Sequence, residues 1–140
     1  MKRTGDVSRR RVPLFLTLAH AAGLTLVARW ARRRFLPYEI AGTSMSPSLE
    51  PGDFVLVDRQ AFMHRPPRRG EIVLVRDPRE PRRTLVKRLA NADLHGALWV
   101  LGDNPDGSTD SRAFGAVPPG DVIGRVRWRY WPPRAPSRVR

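Results

Sequence analysis

A mainly β fold, a compact antiparallel sheet or small barrel preceded by a hydrophobic helix, is what this 140-residue sequence predicts. Three observations carry that expectation. Short runs rich in β-branched and aromatic residues recur between residues 38 and 131, and Pro- and Gly-rich turns separate them. No segment among them keeps a helical period. Ahead of them stands one uncharged run, residues 12–28. With 41% hydrophobic and 28% charged residues, the chain suffices for one modest core and is too apolar for wholesale disorder.

Residues 1–11 are polar and basic and read as a disordered tail. VPLFLTLAHAAGLTLVA (12–28) follows, with Arg on both sides. At about 1.5 Å per residue it reaches about 25 Å, the lower limit for crossing a bilayer. Pro13 suits a first helical turn, and Trp30, Phe35 and Tyr38 are placed for the headgroup level. Residues 12–30 are therefore expected to form a membrane-anchor helix in contact with lipid. Thr17, His20, Thr25, Arg29 and Arg32 fall broadly on one side, so a helix lying in the interface is the alternative. A cleaved secretion signal fits worse, because arginines stand where a small-residue cleavage site belongs. Five bases precede the run and four follow it, which leaves its orientation open.

The expected strands are YEIAG (38–42), DFVLVD (53–58), EIVLVR (71–76), TLVKRLA (84–90), ALWVLG (97–102) and VIGRVRWRYW (122–131). PGD (51–53), RPPRRG (65–70), DPREP (77–81) and VPPG (117–120) supply the turns. Many short strands within about a hundred residues pack as an antiparallel sheet or small barrel. The folded domain is expected over residues 36–131, with a basic tail at 132–140.

Composition excludes several functions. No cysteine is present, so there is no disulfide framework, thiol nucleophile or thiolate metal site. His20, His64 and His95 lack metal-ligand spacing, and no metal or organic cofactor is expected. The net charge of +13 suggests nucleic acid, but its distribution does not. Residues 1–34 carry nine bases and one acid, and residues 125–140 carry six bases and no acid. Between them lie eleven bases and twelve acids, so the body is close to neutral. Basic ends on a neutral body suit a membrane surface better than a nucleic-acid groove.

Three polar segments carry the possible chemistry. GTSMSPSLEPGD (42–53) lies between two strands, where a turn serine can present its hydroxyl to a cleft; a plain loop is the bland reading. Lys87 is one of only two lysines among 26 basic residues. Strand alternation puts Leu85, Lys87 and Leu89 on one face and Val86 and Arg88 on the other. Apolar neighbours desolvate the ammonium and favour the neutral amine that a base requires, whereas a lysine on an edge strand snorkels to water. GDNPDGSTDSR (102–112) is dense with turn-formers. Gly107 puts Gly102 and Ala113 at the first and last ligand positions of an EF-hand register, so a calcium loop fails there, and an Asx-turn loop remains the bland alternative.

Taken together, GTSMSPSLEPGDFVLVD, RRGEIVLV, LVKR, LGDNPDGSTDSRAFGAVP and GDVIGRV closely resemble, in order, the type I signal peptidase family of serine–lysine endopeptidases. The resemblance covers residues 38–128 and implies a sheet of the signal peptidase type. It makes Ser44 the nucleophile, Lys87 the general base, and Ser108 the group that orients the lysine amine. Asp103 is expected to pair with Arg88, and Asp110 with Arg112, as structural support. The Ser44 N–H would be one oxyanion donor. An extended leader segment of a precursor protein would add as a strand between the stretches before Ser44 and before Lys87. Gly42, Met45 and Leu85 are expected to contact it, with small residues such as Ala entering shallow pockets. The implied location is the cell membrane, single-pass, with the catalytic domain on the outer face; a cytoplasmic or peripheral enzyme is the alternative.

Some features depart from that pattern. Gly42 stands where a serine can add a second oxyanion donor, leaving Thr43 or backbone to do so. ANADLHG (90–96) replaces the usual GxPGD, and Pro105 stands where an arginine is common. Only 14 residues separate Lys87 from Gly102, so the large inserted β region of longer members is absent. Such a short core also resembles nickel-type superoxide dismutase maturation proteases, which trim the leader of one precursor. An inactive, membrane-associated peptide-binding β-domain is the non-enzyme alternative. It would be free to lose Ser44 or Lys87, and both are present.

Overall fold

Each of the six apolar runs becomes a strand of one antiparallel sheet. The computed structural model describes residues 14–133, with side chains from residue 22 onward. The expected tail at 1–11 and nearly all of that at 132–140 lie outside the described residues. The chain divides into two units, residues 1–32 and 33–140. The first contains most of helix α1 (Leu14–Arg34), in which the Thr25 hydroxyl donates to the Ala22 carbonyl at 2.7 Å. Among the described residues no helix is long and apolar enough to cross a membrane. Residues 12 and 13 lie outside the described residues, and the side chains of 14–21 are not described, so the anchor remains an expectation.

In the second unit the strands are β1 (Phe35–Glu39), β2 (Phe54–Asp58), β3 (Ile72–Asp77), β4 (Glu80–Ala92), β5 (Leu98–Leu101) and β6 (Val122–Trp131). Their order across the sheet is β1-β2-β6-β3-β4-β5. β1 and β5 are its two edges, so the sheet stays open and no barrel closes. β4 begins at Glu80, inside the expected DPREP turn, because Asp77 and Glu80 already pair. A one-turn helix, α2 (Ser111–Phe114), is also present; the Asp110 side chain caps it by accepting from the Arg112 N–H. One turn is too short to leave a period in the sequence.

Strand parity builds a core on each face. Ile72, Leu74 and Val86 join Ile40, Met45, Leu49, Val55, Val57 and Val126 on one side. Val73, Val75, Leu85 and Leu89 join Leu98, Val100 and Val117 on the other. β6 fits between β2 and β3 through alternate arginines, each reaching a buried carboxylate. Arg125 meets Glu71 at 2.8 Å, Arg127 meets Asp58 at 3.2 Å, and Arg129 meets Asp53 at 3.3 Å. Gly124 in the same strand has no alternative residue. A Cβ there would lie 2.5 Å from the Asp58 carbonyl oxygen, well inside van der Waals contact.

Candidate active site

The fold brings the three polar segments to one place. The Ser44 turn joins β1 to β2, Lys87 sits within β4, and the Ser108 loop joins β5 to α2. Lys87 pairs across the ladder with Val73, as Leu85 does with Val75, so its side chain shares the face of Leu85 and Leu89. It is only 2% exposed, which removes the snorkelling alternative. Its amine donates to the Ser108 hydroxyl at 3.0 Å, and that hydroxyl donates to Asp110 at 2.7 Å. Ser108 thus spends its proton on the carboxylate and offers the lysine a lone pair. Burial pushes the Lys87 pKa down to about 8, with Arg83 and Arg112 adding to the effect and the Asp110 charge opposing it.

Asp110 is a buried hub. It also accepts from the Gly102 N–H at 3.0 Å and from the Arg112 guanidinium at 2.8 and 2.9 Å. Burial works against its ionisation, but these donors outweigh it and hold the carboxyl far below the usual range. Asp103 receives Arg88 through two bonds of 2.7 and 2.8 Å. Burial there is likewise outweighed, by the hydrogen bonds of Arg88 and Ser48, and the carboxyl titrates low. Both arginine–aspartate pairs expected from the sequence are therefore formed. The Asp103 pair ties β4 to the closing loop, while the Asp110 pair stiffens that loop.

Ser44 is half-buried and its carbonyl accepts the Asn104 N–H at 3.0 Å. Gly102 packs between the Ser44 turn and Ser108. A Cβ there would collide with the Ser108 hydroxyl and lie 2.5 Å from the Ser44 carbonyl oxygen. Beside them runs a cleft of about 330 Å³ that holds both Ser44 and Lys87 in its lining. One wall is Ile40–Met45 and the other Arg83–Lys87. β5 pairs with β4 only from Arg88 to Ala92, so the edge of Arg83–Lys87 on that side is left open, as strand addition requires. Gly42, Met45 and Leu85 all line this cleft; Gly42 is exposed, whereas Met45 and Leu85 are buried in its base.

Sequence reasoning missed several contributors. The Asn104 side chain donates to the Thr43 carbonyl at 3.2 Å, so one residue clamps the Ser44 turn through two bonds. Ser48 takes a bond from Arg88 at 3.3 Å, and buried Ser111 accepts the Val100 N–H at 2.9 Å. Their polar character was visible, but partners 11 residues away for Ser111, 40 for Ser48 and 61 for Asn104 leave no local pattern.

Comparison with known proteins places the chain among relatives. The family model described as "Signal peptidase, peptidase S26" matches residues 11–92 and 94–131. The mitochondrial ATP-independent inner membrane protease subunit 1b of Arabidopsis thaliana is 35% identical, over 65% of this chain and 67% of that protein. The mitochondrial inner membrane protease subunit 2 of Danio rerio is 33% identical, over 71% of this chain and 66% of its own length. The human mitochondrial inner membrane protease subunit 1 is 29% identical, over 66% and 67% respectively.

Proposed function

The chain belongs to the signal peptidase S26 family, a serine peptidase that removes leader peptides, and from that premise we propose that Ser44 and Lys87 form its catalytic dyad. The observation that carries this assignment is the buried Lys87 amine, held by Ser108 in the cleft that also contains Ser44. In the neutral form, one N–H of the amine goes to Ser108 and its lone pair accepts the Ser44 Oγ proton. The Ser44 oxygen then attacks the scissile carbonyl carbon. The Ser44 N–H stabilises the oxyanion, with the adjacent Thr43 hydroxyl or backbone as the second donor. The Lys87 ammonium returns the proton to the leaving amine. Water, deprotonated by Lys87 in turn, then hydrolyses the acyl-enzyme.

The substrate in this reading is an extended leader that fills the gap between the two walls as a strand, with small side chains near the cut. Membrane attachment is supported by the apolar run at 12–28 and by the names of the relatives. An aromatic face of the sheet adds to it. Phe35 packs on Trp128 with centroids 6.0 Å apart and Phe54 on Tyr130 at 6.2 Å, while Trp128, Tyr130 and Trp131 remain 41%, 51% and 55% exposed. Such rings favour the headgroup region. A dedicated superoxide dismutase maturation protease is the second reading, favoured by the short β4–β5 connection.

The test is a cleavage assay with N-terminal sequencing of the products. The protein and its Ser44→Ala variant are each given a secretory precursor and a nickel superoxide dismutase precursor. Ser44-dependent cutting of the secretory precursor after a small residue supports a general leader peptidase. Cutting of the dismutase leader alone supports the dedicated enzyme. Cutting of neither overturns the dyad and leaves a peptide-binding domain.

A further inference from the structure

The cleft carries a charge that the dyad does not explain. Arg83 and Lys87 are the cations among its lining residues, and among the described residues no carboxylate lines it. Arg83 is exposed. Asp77, the acid that feels its charge, is already engaged by Arg79 at 3.1 Å. Arg83 stands four residues before Lys87 on the open edge of β4, about 13 Å away at about 3.3 Å per residue.

The direction of a bound chain follows from the walls. Residues 40–43 lead into Ser44 and residues 83–86 lead into Lys87, so the reacting end of the cleft lies at the C-terminal end of both. The leader is what different precursors share, so it occupies the cleft and runs parallel to both walls, its cut end at Ser44. Its residues four to five positions before the scissile bond then lie beside Arg83.

We infer that Arg83 is a specificity-determining residue that selects an acidic side chain, and rejects a basic one, four to five positions before the bond cut. This rests on the reading of the dyad and cleft given above. A guanidinium at the open end of a cleft, with no hydrogen-bond partner among the described residues, attracts a carboxylate directly and repels a cationic side chain, with a strength that salt weakens.

The experiment uses the full chain in detergent with three leader peptides that differ only in Glu, Gln or Lys at that place. Each is tested against the unaltered protein and against Arg83→Gln and Arg83→Glu. We expect kcat/KM to favour Glu over Lys by on the order of five- to tenfold at low salt, the two opposed interactions each being modest on an exposed group. The preference should disappear in Arg83→Gln and reverse in Arg83→Glu. An equal rate for Glu and Lys leaders, or a preference that all three proteins share, overturns the inference. The Gln leader separates this from failure of the underlying reading. If it is cut, and Ser44→Ala does not cut it, the dyad stands whatever becomes of Arg83. If no leader is cut, both fall together.

Discussion

Placing an ammonium group inside a protein favours its neutral form, and at Lys87 burial outweighs the attraction of Asp110 to bring the pKa to about 8. About one tenth of the amine is then neutral one pH unit below that value and about nine tenths one unit above it. We expect kcat/KM to rise with pH through about 8; a profile flat from pH ~6 to ~10 would contradict a titrating amine base. Asp110→Asn removes the negative charge that supports the ammonium, so the midpoint should move to lower pH while the maximum rate falls as Ser108 exchanges a charged acceptor for a neutral amide. Lys87→Arg should abolish cleavage, since a guanidinium stays protonated throughout this range. Activity retained in that variant would remove the dyad. Much of this was legible beforehand: alternation along TLVKRLA already put Lys87 among leucines, and the family pattern named Ser44, Ser108 and both aspartates. What it lacked was the hub at Asp110, where the Gly102 N–H, Ser108 and Arg112 converge from different parts of the loop.

At the scale of elements, the site depends on how closely the closing loop packs on the Ser44 turn. Gly102 is the contact, since any side chain there would meet Ser108 on one side and the Ser44 carbonyl on the other. Gly102→Ala should therefore lower kcat by about 10²-fold or more, the usual penalty for a displacement near 1 Å. Circular dichroism should show that the sheet persists. The ion pairs differ among themselves in the same physical terms. Arg88→Ala strands Asp103, whose side chain is 16% exposed, and should cost about 2 kcal/mol of unfolding free energy in urea. Arg76→Ala breaks a pair 3.9 Å long between side chains 48% and 32% exposed, and should cost less than about 0.5 kcal/mol. Equal losses for the two would show that burial is not what sets these contributions. All six strands could be read from β-branched runs and their turns, but their ends were shifted where side chains far apart decide them. β1 starts at Phe35 rather than Tyr38 because Phe35 pairs with Asp58. α2 exists because Asp110 caps it, a hydrogen bond that no periodicity encodes.

Across the whole molecule, a near-neutral body buries five of its carboxylates, Asp53, Asp58, Glu71, Asp77 and Asp110. Asp58, Glu71, Asp103 and Asp110 titrate low although burial opposes their ionisation, because arginine and N–H donors outweigh it. At Asp77 the Arg79 hydrogen bond is the largest influence and acts the same way. A carboxylate whose folded pKa lies below its unfolded one contributes stability above the unfolded value and loses it as pH falls. Urea midpoints should thus be level near neutrality and fall steeply below pH ~4, where the same groups in the unfolded chain begin to take up protons. Lys87 has the opposite sense: its lowered pKa is a penalty below about 8 that fades as pH rises toward 10.5, the ordinary lysine value. Alkaline conditions thus favour both activity and fold. The same acids set where the catalytic unit can be cut free of the apolar run. A boundary at residue 36 would remove Arg34, which reaches Asp58 at 3.2 Å, and its carbonyl, which accepts the Arg59 N–H at 2.8 Å. A chain beginning at Arg33 keeps both and should stay in buffer without detergent, whereas the full chain should require it. A chain beginning at residue 36 should be less stable by about 1–2 kcal/mol, the effect of leaving buried Asp58 with fewer donors. If the full chain and the Arg33 chain partition identically into buffer, residues 12–28 are not an anchor. If the two shortened chains unfold at the same urea concentration, Arg34 is not part of the catalytic unit.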